Sequence, residues 1–146
     1  MKVSEVIQRY NEDYSSEITN ETKIRYIKSL ERAIVGEIVL THEYPEELQE
    51  TIDNYIPDEE EGQLPDFWDE HFRTFGMDTE LLADDPYDEV YLHYINTRVA
   101  QACANTNEYN RASSFYTTTY IAFQDYWNRH FRPLQKPVRL IHHRLI

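Results

Sequence analysis

EYNRASSFYTTTYIAFQDYWNRHF, residues 108–131, carries eight aromatic side chains in twenty-four positions and neither Gly nor Pro. With nothing to break it, the stretch reads as one long helix, about 36 Å at the standard rise. Tyr109, Ala112, Tyr116, Thr119, Phe123 and Trp127 recur at three- and four-residue spacing. They form one stripe for a partner helix. Phe115, Ala122, Tyr126 and the edge of Tyr120 form a second line beside it. One small domain need not cover both lines. The expectation is that one packs within the chain and the other meets a further copy.

The partner helix lies just upstream. In ADDPYDEVYLHYINTRVAQACANT, residues 83–106, Asp85 reads as a cap and Pro86 as the first helical position. Asp88 and Glu89 suit the positive end of the helix dipole. Tyr87, Val90, Tyr91, Tyr94, Ile95 and Val99 make a wide apolar stripe. Asn105-Thr106-Asn107 marks a turn, with Asn107 a candidate cap, so helices 86–105 and 108–131 should run antiparallel. A third helix is expected over 20–41, capped by Thr19 or Asn20. Its stripe is Ile24, Ile27, Leu30, Ile34 and Ile38, and Lys23, Arg25, Lys28, Glu31 and Arg32 read as its polar remainder. A short first helix fits residues 3–14, with Val3, Val6, Ile7 and Tyr10 on one face.

Between these helices the pattern breaks. Pro45, Pro57, Gly62, Pro65 and Gly76 interrupt residues 43–83. DEEEG, 58–62, reads as an acidic turn, and LPDFWDEHFRTFG, 64–76, concentrates Phe67, Trp68, Phe72 and Phe75. A connection of this length is usually functional, locally structured, or both. DTELLA, 78–83, reads as a short strand or an extended entry to the next helix. The tail after Arg132-Pro133 combines Val138, Leu140, Ile141, Leu145 and Ile146 with Arg132, Lys136, Arg139 and Arg144, and it has no acid. Pro137 forbids a regular helix through it. It can fold back on its own core or dock on another chain, and docking is the favoured reading.

Composition agrees with a mainly α protein: a small antiparallel helical bundle with a long acidic loop region and an extended C-terminal tail. The chain of 146 residues fits one domain, and three Gly and six Pro are too few turn residues for an all-β design. Twelve of the twenty aromatics are Tyr, whose apolar body and polar tip suit interfaces. The single Cys, Cys103, excludes an intrachain disulfide and reads as a small core residue. The start MKVSEVIQRYNEDY has no apolar run, and no stretch approaches a membrane span. A soluble protein made in a reducing cytoplasm is expected.

Charge is partitioned along the chain. Residues 1–42 hold seven acids and six bases, residues 43–89 eighteen acids and one base (Arg73), and residues 90–146 two acids and seven bases. This layout disfavours generic nucleic-acid binding. It permits head-to-tail attraction between copies, basic end to acidic middle. The acidic block reads as a solvated face, as a channel wall that repels DNA, or as a DNA mimic for a basic groove.

Familiar chemistry is missing. There is no glycine-rich phosphate loop, no CxxC and no HExxH. His71 after Asp69-Glu70, His42-Glu43 and His142-His143 are each read as surface or packing residues rather than metal ligands. His93, one turn from Glu89, also reads as packing. No catalytic, cofactor-binding or metal-binding residue is assigned, and no cofactor is expected.

ETKIRYIKSLERAIVGEIVLTHE (21–43), DTELLADDPYDEVYLHYINTRV (78–99), EYNRASSFYTTTYIAFQDYWNRH (108–130) and the acidic loop between the first two resemble the small head–tail connector, or adaptor, proteins of tailed bacteriophages. With the loop they cover roughly three-quarters of the chain. The resemblance implies a mostly helical virion protein without enzyme activity. Members of that family form a ring under the portal, usually following its twelvefold symmetry, and extend the DNA channel. They offer a platform for the tail or further neck proteins. In several of them the C-terminal segment grips the portal. This chain departs from that pattern in its longer, more acidic middle loop and in its LIHHRLI ending.

The expectations follow. Residues 1–131 form the helical connector domain, with an acidic insertion at about 43–85, and residues 132–146 form a docking tail. The chain is a structural protein of the phage neck that docks on the portal and joins head to tail; the alternative is an acidic DNA mimic or inhibitor of a basic nucleic-acid enzyme. Arg132, Lys136, Val138, Arg139, Leu140, Ile141, Arg144 and Leu145 dock on the portal or a neighbour. Asp58, Glu59, Glu60, Glu61, Asp66, Asp69 and Glu70 form a channel or inter-subunit acidic surface. Phe115, Tyr120 and Tyr126 form the inter-subunit aromatic face. Partners are sister copies, the portal, tail or neck proteins, and double-stranded DNA that passes without specific binding; no membrane is involved.

Overall fold

The computed structural model describes residues 1–56 and 66–134. Among them, six α-helices appear in chain order: α1 (Val3–Asp13), α2 (Asn20–Glu37), α3 (Glu46–Asp53), α4 (Phe67–Arg73), α5 (Glu89–Ala102) and α6 (Thr106–His130). A 3-10 turn, Val39–Thr41, extends α2. No strand forms among the described residues.

The bundle is built around α5, which is buried on most of its circumference. Val90, Tyr91, Ile95 and Val99 carry the expected stripe inward, and Leu92, Asn96, Thr97 and Ala100 are buried too. α6 lies antiparallel on it. Tyr87, just before α5, meets Tyr126 near the end of α6 (ring centroids 5.1 Å apart), Tyr94 meets Tyr116 midway (5.1 Å), and Asn96 reaches Glu108 near the start (2.8 Å). α2 contributes Ile27, Leu30 and Ile34, and α1 contributes Val3, Val6, Ile7 and Tyr10. Each such aliphatic side chain gains about 1.5–3 kcal/mol from burial.

Local chemistry sets the helix ends. The Thr19 hydroxyl accepts from the Thr22 amide (3.2 Å), so Thr19 caps α2. The α6 cap is Asn105, whose Oδ1 accepts from the Glu108 amide at 3.2 Å, not the expected Asn107. α5 also starts later than expected. The Tyr87 amide donates to the Asp84 carbonyl (2.7 Å), closing a turn around the cis Asp85–Pro86 bond, and the helix begins at Glu89. Asp88 is buried there against Arg9 of α1, 3.1 Å away. α5 stops at Ala102, and Ala104 turns the chain with φ 56°. That early stop corrects the reading of Cys103, which lies past the helix and is exposed.

The acidic region is not a single loop. Asp66 caps α4 by accepting from the Asp69 amide (2.7 Å), and the short amphipathic α3 precedes it. DTELLA forms no strand: Asp78 lies in a turn, Leu82 is a bend, and one isolated bridge joins Lys2 and Glu80. Its neighbourhood holds the start of the chain: the Val3 amide donates to the Thr79 carbonyl (3.1 Å), Ser4 to Met77 (3.0 Å) and Leu81 to Met1 (2.9 Å).

The largest correction concerns α2. Lys23 and Glu31, read as polar remainder, are 3 % and 0 % exposed. Lys23 Nζ donates to Asn11 Oδ1 (2.6 Å) and stands 5.2 Å from the Tyr10 ring centroid. Glu31 lies in the middle of the core. Its two oxygens accept from the Tyr91 hydroxyl (2.7 Å) and the Leu82 amide (2.9 Å). The Ala83 amide in turn donates to Tyr91 Oη (3.0 Å). A buried carboxylate without such partners would cost several kcal/mol. Even with them, burial pushes the Glu31 carboxyl up to about 7.

Candidate assembly surfaces

Two surfaces stand out. The first is a groove of about 730 Å³ between α3, the 80–87 stretch and the end of α6. Its floor is an aromatic ladder along α6. Tyr87 packs on Phe123 (5.7 Å) and Tyr126, Tyr126 stacks on His130 (4.3 Å), and Trp127 packs on Phe131 (4.5 Å). Leu48, Leu81 and Leu82 form the wall, and Glu47, Glu80, Asp84 and Asp85 form the rim. The Met1 amino group pairs with Asp84 (3.1 Å) and Glu80 (3.3 Å), while Glu47 and Asp85 are exposed. An apolar floor with an acidic rim suits a ligand that is apolar along its length and cationic at its edge.

The second surface is the outer face of α6. From Ala112 to Gln124 the helix has no charged residue. Phe115 (48 % exposed) and Ile121 (49 %) project from it between exposed Thr117, Thr118 and Ala122. The Phe115 ring is steadied by His93, stacked at 5.5 Å, and by Arg111 at 5.6 Å. The face stays neutral over several turns on a chain of net charge −13.

The expected first stripe of α6 is the one that packs at home. Ala112, Phe123 and Trp127 are buried, and Tyr109, Tyr116 and Thr119 half-buried. The second line divides. The Tyr120 hydroxyl donates to the Glu37 carboxylate of α2, and Tyr126 belongs to the groove floor. Phe115 and Ala122 face outward.

Of the acidic residues singled out in the sequence, Asp66 caps α4, Glu70 pairs with Arg73, and Asp69 is exposed. Asp58, Glu59, Glu60 and Glu61 lie outside the described residues. Of the tail, Arg132 is exposed and its carbonyl accepts from the Glu43 amide (2.9 Å), and the Leu134 amide donates to the Thr41 carbonyl (2.9 Å). Pro133 thereby bridges His42 in an antiparallel pairing. Lys136, Val138, Arg139, Leu140, Ile141, Arg144 and Leu145 lie outside the described residues.

The His residues follow the packing reading where they are described. His42 is buried, with Nδ1 2.8 Å from the Ile38 carbonyl and Nε2 2.7 Å from Asn128 Oδ1, which ties the end of α2 to the end of α6. His71 sits among Phe67, Trp68, Phe72 and Phe75, where burial lowers its pKa, and its Nε2 has no hydrogen-bond partner among the described residues. No group of three potential metal ligands occurs among the described residues. No helix among them is long and apolar enough to cross a membrane.

Sequence reasoning missed Glu31 and the groove. Glu31 had a signal: it stands four residues after Ile27 and three before Ile34, inside the apolar stripe. The groove had none, because its walls come from three separated segments. Comparison with protein-family models, with curated proteins and with solved structures finds no match for this chain.

Proposed function

We propose that this chain is a non-enzymatic structural protein of the phage neck, a ring-forming adaptor that docks on the portal, extends the DNA channel and joins head to tail. The observation that carries the reading is the neutral outer face of α6, with Phe115 and Ile121 half exposed on a strongly acidic chain. Such a face suits burial against another protein. The resemblance of the 21–43, 78–99 and 108–130 stretches to head–tail connectors supplies the class of partner. The split between acidic middle and basic end favours a head-to-tail contact, and head-to-tail contacts close into rings where the rotation between neighbours returns to the start. DNA passing such a ring would meet an acidic wall and slide without binding.

The test is assembly. Mixed with the portal protein of the same virus, the purified chain should form a ring seated on the portal, seen by electron microscopy. A chain that stays monomeric with and without portal overturns the reading. The second reading, an acidic mimic of DNA, draws on exposed Glu46, Glu47, Glu50 and Asp53 of α3. It requires a monomer or dimer that competes with DNA for a basic enzyme, and it requires no contact with the portal.

A further inference from the structure

We infer that the aromatic groove beside α6 is the receptor for residues 135–146 of a second copy of this chain. The inference deepens the ring reading above by naming the contact that would join neighbours, and it rests on that reading only for the ring's closure.

The groove and the segment have matching chemistry. The half-buried rings of Tyr87, Tyr126 and Phe131 offer an apolar floor, and exposed Glu47 and Asp85 stand on its rim. The segment QKPVRLIHHRLI has five aliphatic residues, three basic ones, and no acid. Apolar side chains inserted between the rings, with Arg139 and Arg144 beside the rim carboxylates, would use both features.

Phe131 borders the groove, but the next residues leave it. Arg132 to Leu134 run antiparallel along Thr41–Glu43, and Leu134 shares a cleft with Leu40, Tyr44 and Gln49. The segment is joined to the chain at that cleft and not at the groove. Its twelve residues span about 40 Å when extended, enough to cross to a neighbour. The same pairing repeated from copy to copy is heterologous, so it propagates along a series of copies, and a rotation that returns to the start closes it into a ring.

The test uses the full chain. Arg139→Glu/Arg144→Glu reverses the segment, and Glu47→Lys/Asp85→Lys reverses the rim; all four are surface changes, and circular dichroism checks folding. Each double variant alone should associate at least about tenfold more weakly than the unaltered chain, read by light scattering. Mixing the two should restore association, because each then offers the charge the other needs. Separately, Leu145→p-benzoylphenylalanine in an isotopically heavy chain, irradiated with light unaltered chain, should cross-link to light peptides from residues 80–87 or 120–131. Three results would overturn the inference: double variants that associate like the unaltered chain, a mixture that fails to recover, or cross-links that stay within one copy or fall elsewhere. A ring that forms on the portal while the swap fails removes this contact alone. A working swap without portal binding removes the neck assignment and leaves the contact.

Discussion

Glu31 on α2 accepts a 2.7 Å hydrogen bond from the hydroxyl of Tyr91 on α5, and neither residue exposes any of its surface. With the Leu82 and Ala83 amides, this pair fastens the 81–83 stretch to the bundle and so fixes one wall of the groove.

The pair makes stability depend on pH in a definable direction. The ordinary Glu value is 4.5, and the folded one is about 7. Below 4.5 both states hold the proton and nothing is lost. Between 4.5 and 7 the unfolded chain releases it while the folded chain keeps it, so stability falls as pH rises. Above 7 the loss is complete, of the order of 3 kcal/mol. Glu31→Gln cannot titrate. Denaturant unfolding of both proteins from pH 4 to 8 should show the unaltered chain losing about that much relative to the variant.

Tyr91→Phe removes the donor to Glu31 and the acceptor for Ala83. It should cost about 1–3 kcal/mol, more at pH 8 than at pH 5, because the charged carboxylate depends most on the lost bond. That bond also holds the Glu31 pKa down. The falling limb of the stability curve should therefore extend to higher pH in the variant.

Asn128 holds His42, and His42 stands where residues 132–134 pair with 41–43. Asn128→Ala should lower stability by about 1 kcal/mol. Hydrogen exchange should quicken first at the Glu43 and Leu134 amides, whose bonds make that pairing.

Phe115→Gln/Ile121→Gln tests the outer face of α6. Both side chains are half exposed, so the change in unfolding free energy should stay within about 0.5 kcal/mol per site. Assembly mass at equal concentration should fall clearly. Equal mass with unaltered stability would show that the face is not an interface.

The large helices were legible because their periodicity is long. Ile27, Leu30, Ile34 on α2 and Val90, Ile95, Val99 on α5 repeat over several turns, and all are buried. α3 and α4, of eight and seven residues, are too short for a period to rise above chance. Glu31 is hard to read because its polarity masks its place in the apolar stripe. The Ala-rich neighbourhood of Cys103 continues the helical pattern and suggests a core position, whereas the backbone turns at Ala104 and leaves Cys103 exposed. The groove depends on residues 47–48, 80–87 and 123–131 coming together, which no local pattern records.

The pairing of residues 1–4 with 77–81 also bears on the order of folding. Closing it draws together positions about seventy-five residues apart, while α5 and α6 meet across a turn of a few residues. Loop-closure entropy favours the short connection, so the α5–α6 hairpin should form in the folding nucleus and α1 should dock after the barrier. In stopped-flow kinetics, Ile95→Ala should then slow refolding, and Val6→Ala should mainly speed unfolding. α1 would thus find its place only after the hairpin has formed, waiting for a partner some seventy residues further along the chain.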